Sequence, residues 1–215
     1  MLRSEAFGLL AAGGEALKGA GVSRLPSGLR DAGAEFADRV GNVNRYPWNR
    51  LLAWVVDWLC ILAWVALIAT IGIPLYLAGI TRGLTVVAQN IIAVVILVVP
   101  VTLILAGLES SARQASIGKR VRHLLVVNSR TGQRVSYRRA LARNTMKIAV
   151  PWTIGHAAVF GIVASTAAGS IPPSIWVLTA FAYALPLAYV ASLFFGTGRT
   201  PYDRISGTTV TLAAR

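Results

Sequence analysis

The stretch "NRLLAWVVDWLC", residues 49–60, sets Arg50 and Asp57 into an apolar run, and Asp57 is the only charged residue from Leu51 to Thr81. Seven residues make two helical turns less about 20°, so the two side chains share a helix face about 10 Å apart along the axis. An aspartate at mid-bilayer costs about 2.5–3.5 kcal/mol, and its short stem cannot reach the headgroups as arginine can. Asp57 therefore calls for a partner. Two chemistries fit. It is a clamp if a cation is buried against it, or a proton or cation site if it exchanges that charge. Lys119, Arg143, Lys147, Arg199 and Asp203 all adjoin other apolar stretches. The expectation is a polar cluster of Arg50, Asp57, Lys119, Arg143 and Asp203, with at least one cation at Asp57. His156 and Gln89 lie at further depths and, with Asp57, would mark a path across a membrane. The plainer role for a lone membrane histidine is a helix–helix hydrogen bond.

The rest of the chain offers little other chemistry. There is no Ser/His/Asp constellation, no pair of carboxylates at catalytic spacing, no cofactor fingerprint and no metal-ligand spacing. "SIGKRVR" fails as a phosphate loop, because Arg113 stands where its first glycine belongs and Arg120 where Ser or Thr follows the lysine. The single Cys60 has no disulfide partner and reads as a small hydrophobe buried in a helix. No enzyme, cofactor or metal is expected.

The elements that must hold these residues are apolar helices. The 215 residues are 55% hydrophobic and only 13% charged, with a net charge of +13. A soluble domain carries about 25% charged residues. A basic chain without a groove-reading motif points to a membrane with anionic lipid headgroups rather than to nucleic acid. Four stretches, about 51–78, 84–108, 148–168 and 175–195, meet the roughly 20 residues needed to cross the hydrocarbon core. Gly72 and Pro74 are expected to bend or end the first. Trp54 and Trp58 read as belt anchors near one interface. Ala157, Gly161, Ser165 and Gly169, four residues apart, form a small-residue stripe for close helix packing.

Lysine and arginine orient the spans. Residues 1–50 hold seven, 109–147 ten and the tail after Phe195 three, whereas the two outer connections hold one, Arg82. That asymmetry places both termini and the 109–147 connection in the cytoplasm. Nothing at the start resembles a cleaved signal, so the N-terminus is expected to be retained. Within the connection, "VRHLLVVN", the turn "SRTG" and "QRVSY" predict a small β-hairpin. "RRALARNTMK" then sets Arg139, Arg143 and Lys147 on one face of an amphipathic lead-in, read as facing lipid phosphates. Residues 1–47 form a cytoplasmic arm with two weak amphipathic helices, and residues 48–215 form the membrane domain.

Three separated motifs carry a resemblance. Arg50, Ala53 and Asp57 head the first span; "SIGKRVRHLLVVNSRTGQRVSYRRALARN" fills the connection; "RTPYDRISGTTV", with Asp203, closes the chain. In this order they resemble the RDD family of bacterial membrane proteins over about residues 46–212. The chain departs from that family's pattern at Ile117 for proline, His123 for glycine and Tyr202 for histidine, so no proton role of that histidine carries over. The resemblance implies a multi-pass protein of the bacterial inner membrane. The function it suggests is ion or small-solute transport, for which four spans would need a homo-oligomer. The alternative is a non-transporting accessory or scaffold subunit of a larger membrane complex.

Overall fold

The computed structural model describes residues 46–195 and 198–213, so the helices expected in the N-terminal arm lie outside the described residues. Four helices are long and apolar enough to cross a membrane: α1 (Pro47–Leu77), α2 (Val86–Ser110), α4 (Tyr137–Thr166) and α5 (Pro173–Phe194). A short α3 (Ile117–Val121) and a strand β1 (Leu124–Asn128) lie between the second and third, and α6 (Pro201–Ser206) and β2 (Thr208–Leu212) follow the fourth. The outer faces carry large apolar side chains such as Leu59, Ile71, Val87, Val163 and Leu187, as helices solvated by lipid require.

Several boundaries differ from the sequence reading. Helix α1 runs through Pro74 to Leu77 without ending there. Helix α4 begins at Tyr137, so the amphipathic lead-in and the third span are one continuous helix. Both α2 and α4 contain a π-helical turn, Val94–Val98 and Thr145–Ala149, just ahead of Pro100 and Pro151. Proline lacks an N–H and its ring collides with the carbonyl four residues earlier; one wider turn relieves both. Cys60 is exposed on the outside of the bundle, not buried, because the inward face of α1 there is taken by Asp57 and Ile61.

The core between α1, α2 and α4 is formed by Ile61, Val101, Leu105 and Ile148, with Trp58, Trp64 and Trp152 packed against it. Trp58 is therefore not a belt anchor: its ring lies 5.5 Å from that of Trp152, bridging two spans. In the small-residue stripe, Gly161 makes the close contact, since a Cβ there would lie 2.6 Å from Ile175 Cδ1 of α5. Gly169 does not belong to it. It lies beyond the end of the helix, exposed, at φ +80°.

The connection turns back at residues 128–133, where Gly132 (φ +66°) donates to the Asn128 carbonyl and Asn128 to that of Gln133, and Val127 bridges Arg134. The return arm is short. The full-length partner of β1 is β2, antiparallel from Leu124↔Leu212 to Asn128↔Thr208, so the C-terminal segment is stitched to the middle of the chain. Inward residues of this two-stranded sheet, Leu124 and Val210, pack on Ala53 of α1; Val126 packs on Ala106 and Ala140. The start of α1, the connection and the C-terminal segment thus meet at one end of the bundle.

Candidate functional site

That shared end holds the seven buried charges among the described residues: Arg50, Asp57, Glu109, Lys119, Arg143, Lys147 and Asp203. Each element brings its charge for a local reason. Asp57 sits one helical face along from Arg50 on α1, and α3 crosses α1 between them. The crossing requires Gly118: a Cβ there would lie 1.9 Å from the Ala53 carbonyl oxygen. Backbone contact at that distance is possible only for glycine, and Ala53 is the small residue facing it. The approach brings the Gly118 N–H to Asp57 Oδ1 at 2.8 Å and the Ser116 hydroxyl to Oδ2 at 2.7 Å. Asp57 thus binds the free N–H end of α3 from another part of the chain.

From Asp57 the charges run in alternating sign. Lys119 Nζ lies 3.9 Å from Asp57 Oδ2 and donates to Glu109 Oε1 at 2.7 Å. Glu109 also accepts from Arg143 Nη1 on both oxygens, each at 2.7 Å, and from Asn144 Nδ2 at 2.8 Å. Arg143 Nε donates to Asp203 Oδ1 at 2.9 Å, and its guanidinium lies 5.2 Å from the Tyr202 ring centroid. Asp203 accepts from Arg50, which also donates to the Gly198 carbonyl. Arg50 and Asp57 share α1, so the sequence Asp57–Lys119–Glu109–Arg143–Asp203–Arg50 closes into a ring. It ties α1, α2, α3, α4 and α6 together.

Asp203 has a second task. With Thr200 it forms a capping box at the start of α6, and Gly207 (φ +64°) ends that helix. Burial by itself would raise the Asp203 carboxyl. Arg143 and Arg50 override it, helped by the Thr200 hydrogen bond, and hold it well below the usual carboxylate range. Burial pushes the Lys119 ammonium below its ordinary value; Glu109 opposes this, while Lys147 and Arg143 add to it.

The structure brings together Arg50, Asp57, Lys119, Arg143 and Asp203, all five residues of the expected cluster. The cation at Asp57 is Lys119, while Arg143 and Arg50 go to Asp203. The lead-in face expected to meet lipid phosphates is divided: Arg139 is exposed, but Arg143 and Lys147 point into the protein. For Arg143 the reason is the two carboxylates waiting there, Glu109 and Asp203. His156 and Gln89 stand apart from the ring. The His156 ring stacks on Trp152 at 6.0 Å and Phe160 at 6.3 Å within α4. The Gln89 amide donates to the Thr81 and Leu84 carbonyls, closing the loop before α2. The sequence reading omitted Glu109, Ser116, Asn144 and Thr200. Glu109 had a signal: it is the only acidic residue at either end of the second span. Thr200 had another, the T-x-x-D spacing with proline between.

A groove of about 550 Å³ runs from the ring outward between α1 on one side and α4 and α5 on the other. Arg50, Lys119, Arg143 and Lys147 line its inner end; none of the three ring carboxylates does. Among the described residues, no group of His, Cys, Asp and Glu side chains has the arrangement of a metal site.

The ring joins the three motifs that are far apart in sequence. A family model, described as the RDD family, matches residues 45–211. The chain belongs to the RDD family. The match runs from before α1 into β2, as far as residue 211, so the ring lies wholly inside the RDD region. No curated protein and no solved structure matches the chain. This RDD protein is a multi-pass membrane protein with four apolar helices long enough to span.

Proposed function

We propose that this RDD protein is a non-catalytic, non-transporting accessory or scaffold subunit of the bacterial inner membrane. In this reading the charged ring holds its cytoplasmic face together and does not carry cations. One observation carries the reading. All six carboxylate oxygens of the ring already accept a cation, an N–H or an O–H, and none of the three carboxylates lines the groove. A carrier site needs an oxygen that can be vacated and a path to it. The cation asymmetry along the chain supports placing the ring on the cytoplasmic side, with both termini there.

The test is cation flux from the purified protein alone in liposomes carrying a pH gradient, alongside Asp57→Asn. No flux is expected. Asp57→Asn is expected to lower stability in detergent by about 1–3 kcal/mol, the cost of weakening a charged acceptor that serves buried donors. Cation flux by the parent that Asp57→Asn abolishes at unchanged thermal stability would overturn the proposal in favour of transport.

A further inference from the structure

The groove beside the ring has two unlike ends. At its inner end four cations line it, but three of them are committed. Arg50 and Arg143 are bonded to Asp203, and Lys119 and Arg143 to Glu109. Across the buried charges, four cations face three carboxylates, which leaves one positive charge in excess. The fourth cation, Lys147, is only 8% exposed, and its ammonium makes no ion pair or hydrogen bond with the described residues. Lys147 acts electrostatically on Glu109, but that carboxylate is already bonded to Lys119, Arg143 and Asn144, so one positive charge of the cluster has no carboxylate of its own. The groove lacks an anion at this point.

The outer part is apolar. Trp152, His156 and Val159 on α4 and Pro186 and Tyr183 on α5 line it. Val159 and Tyr183 are strongly exposed, so the groove opens sideways onto the surface that faces the hydrocarbon. From Lys147 to Ile162, the last lining residue on α4, is fifteen residues, about 22 Å of helix. One leaflet of hydrocarbon is about 15 Å deep. The groove therefore covers the depth of one leaflet and reaches past it, with a cation at its inner end and apolar walls beyond.

We propose that this groove binds a net-negative phospholipid from the leaflet on the ring's side, its phosphate against Lys147 and an acyl chain along α4. The charge excess selects for an anionic head, and the lateral opening and the length select for a chain embedded in the bilayer. A soluble anion would satisfy only the first of these. The site does not depend on whether the protein transports anything, because no ring carboxylate takes part.

Native mass spectrometry of the detergent-solubilised protein in an equimolar mixture of phosphatidylglycerol and phosphatidylcholine tests it. The parent is expected to retain phosphatidylglycerol about fivefold over phosphatidylcholine, the discrimination one lysine near a headgroup supplies. Lys147→Met should bring that ratio close to one. Gly155→Phe fills the groove from a lining position where an added Cβ meets nothing within 4 Å and the ring extends into the groove, so the fold should persist while retained lipid of both kinds falls. Inorganic phosphate at millimolar concentration should not displace the lipid. Equal retention of the two lipids by the parent would overturn the proposal, and that readout needs no variant to fold. So would a preference that survives Lys147→Met, displacement by phosphate, or a dimer that Gly155→Phe dissociates without any change in bound lipid.

Discussion

Asp57, the residue that first suggested ion chemistry, is answered by its neighbours. Its oxygens hold the Ser116 hydroxyl and the Gly118 amide, with the Lys119 ammonium beside them, which are the contacts a clamp requires. Glu109 is the more critical carboxylate. It is completely buried and accepts from Lys119, Arg143 and Asn144 together. Glu109→Gln keeps the volume but strands two cations, and removing one partner of a buried pair costs about 3–5 kcal/mol. Thermal unfolding in detergent should show that loss. Arg113→Gln, on an exposed arginine, should change stability by less than about 0.5 kcal/mol. Adding Lys119→Met to Glu109→Gln should recover part of the loss, because it removes one stranded charge. A double variant less stable than the sum of the two singles would show that Glu109 and Lys119 do not act as a pair.

Between elements, the decisive contact is α3 across α1. Gly118→Ala drives a methyl into the Ala53 carbonyl, and backbone on both sides cannot yield cheaply. Overpacking of this kind costs about 1–3 kcal/mol or more, and it also pulls the Gly118 amide from Asp57. Gly107→Ala is the matched control. It lies within α2 with nothing within 4 Å of its added Cβ, so it should gain up to about 1 kcal/mol from helix propensity. Equal effects of the two substitutions on the unfolding temperature would refute the crossing as the constraint. The second residue after α3 shows a related local demand. His123 has φ +54°, a left-handed conformation suited to glycine, and glycine is the residue common at this place in the family pattern it resembles. The backbone at this position of the chain is therefore one that glycine adopts freely.

At the scale of the molecule, four spans bring α1's start, the connection and the C-terminal strand to one end, and the ring and the β1–β2 pairing seal it. If that end is cytoplasmic, cysteines placed in a Cys60→Ala background should report it. A cysteine at Ser170, in the exposed outer turn, should react with a membrane-impermeant reagent added outside intact cells. One at Thr131, exposed in the connection, should react only after permeabilisation. Reaction at Thr131 in intact cells would invert the orientation and put the groove's anionic lipid in the opposite leaflet.

The four spans and the family were legible in the sequence, because hydrocarbon thickness sets a length and three separated motifs keep their order without reference to any contact. Five of the six ring charges were named from the sequence, since a charge entering an apolar run must find a partner at that depth; Glu109 was not. Which charge meets which was not legible. Arg143, on a surface-like amphipathic face, is turned inward only because Glu109 and Asp203 converge from α2 and α6, and that convergence depends on a glycine crossing and on a strand pairing between residues 124–128 and 208–212. Pairings across such separations carry no local periodicity. The excess charge at Lys147 and the open groove beside it are likewise properties of the assembled bundle, since a surplus exists only once every other charge has been matched.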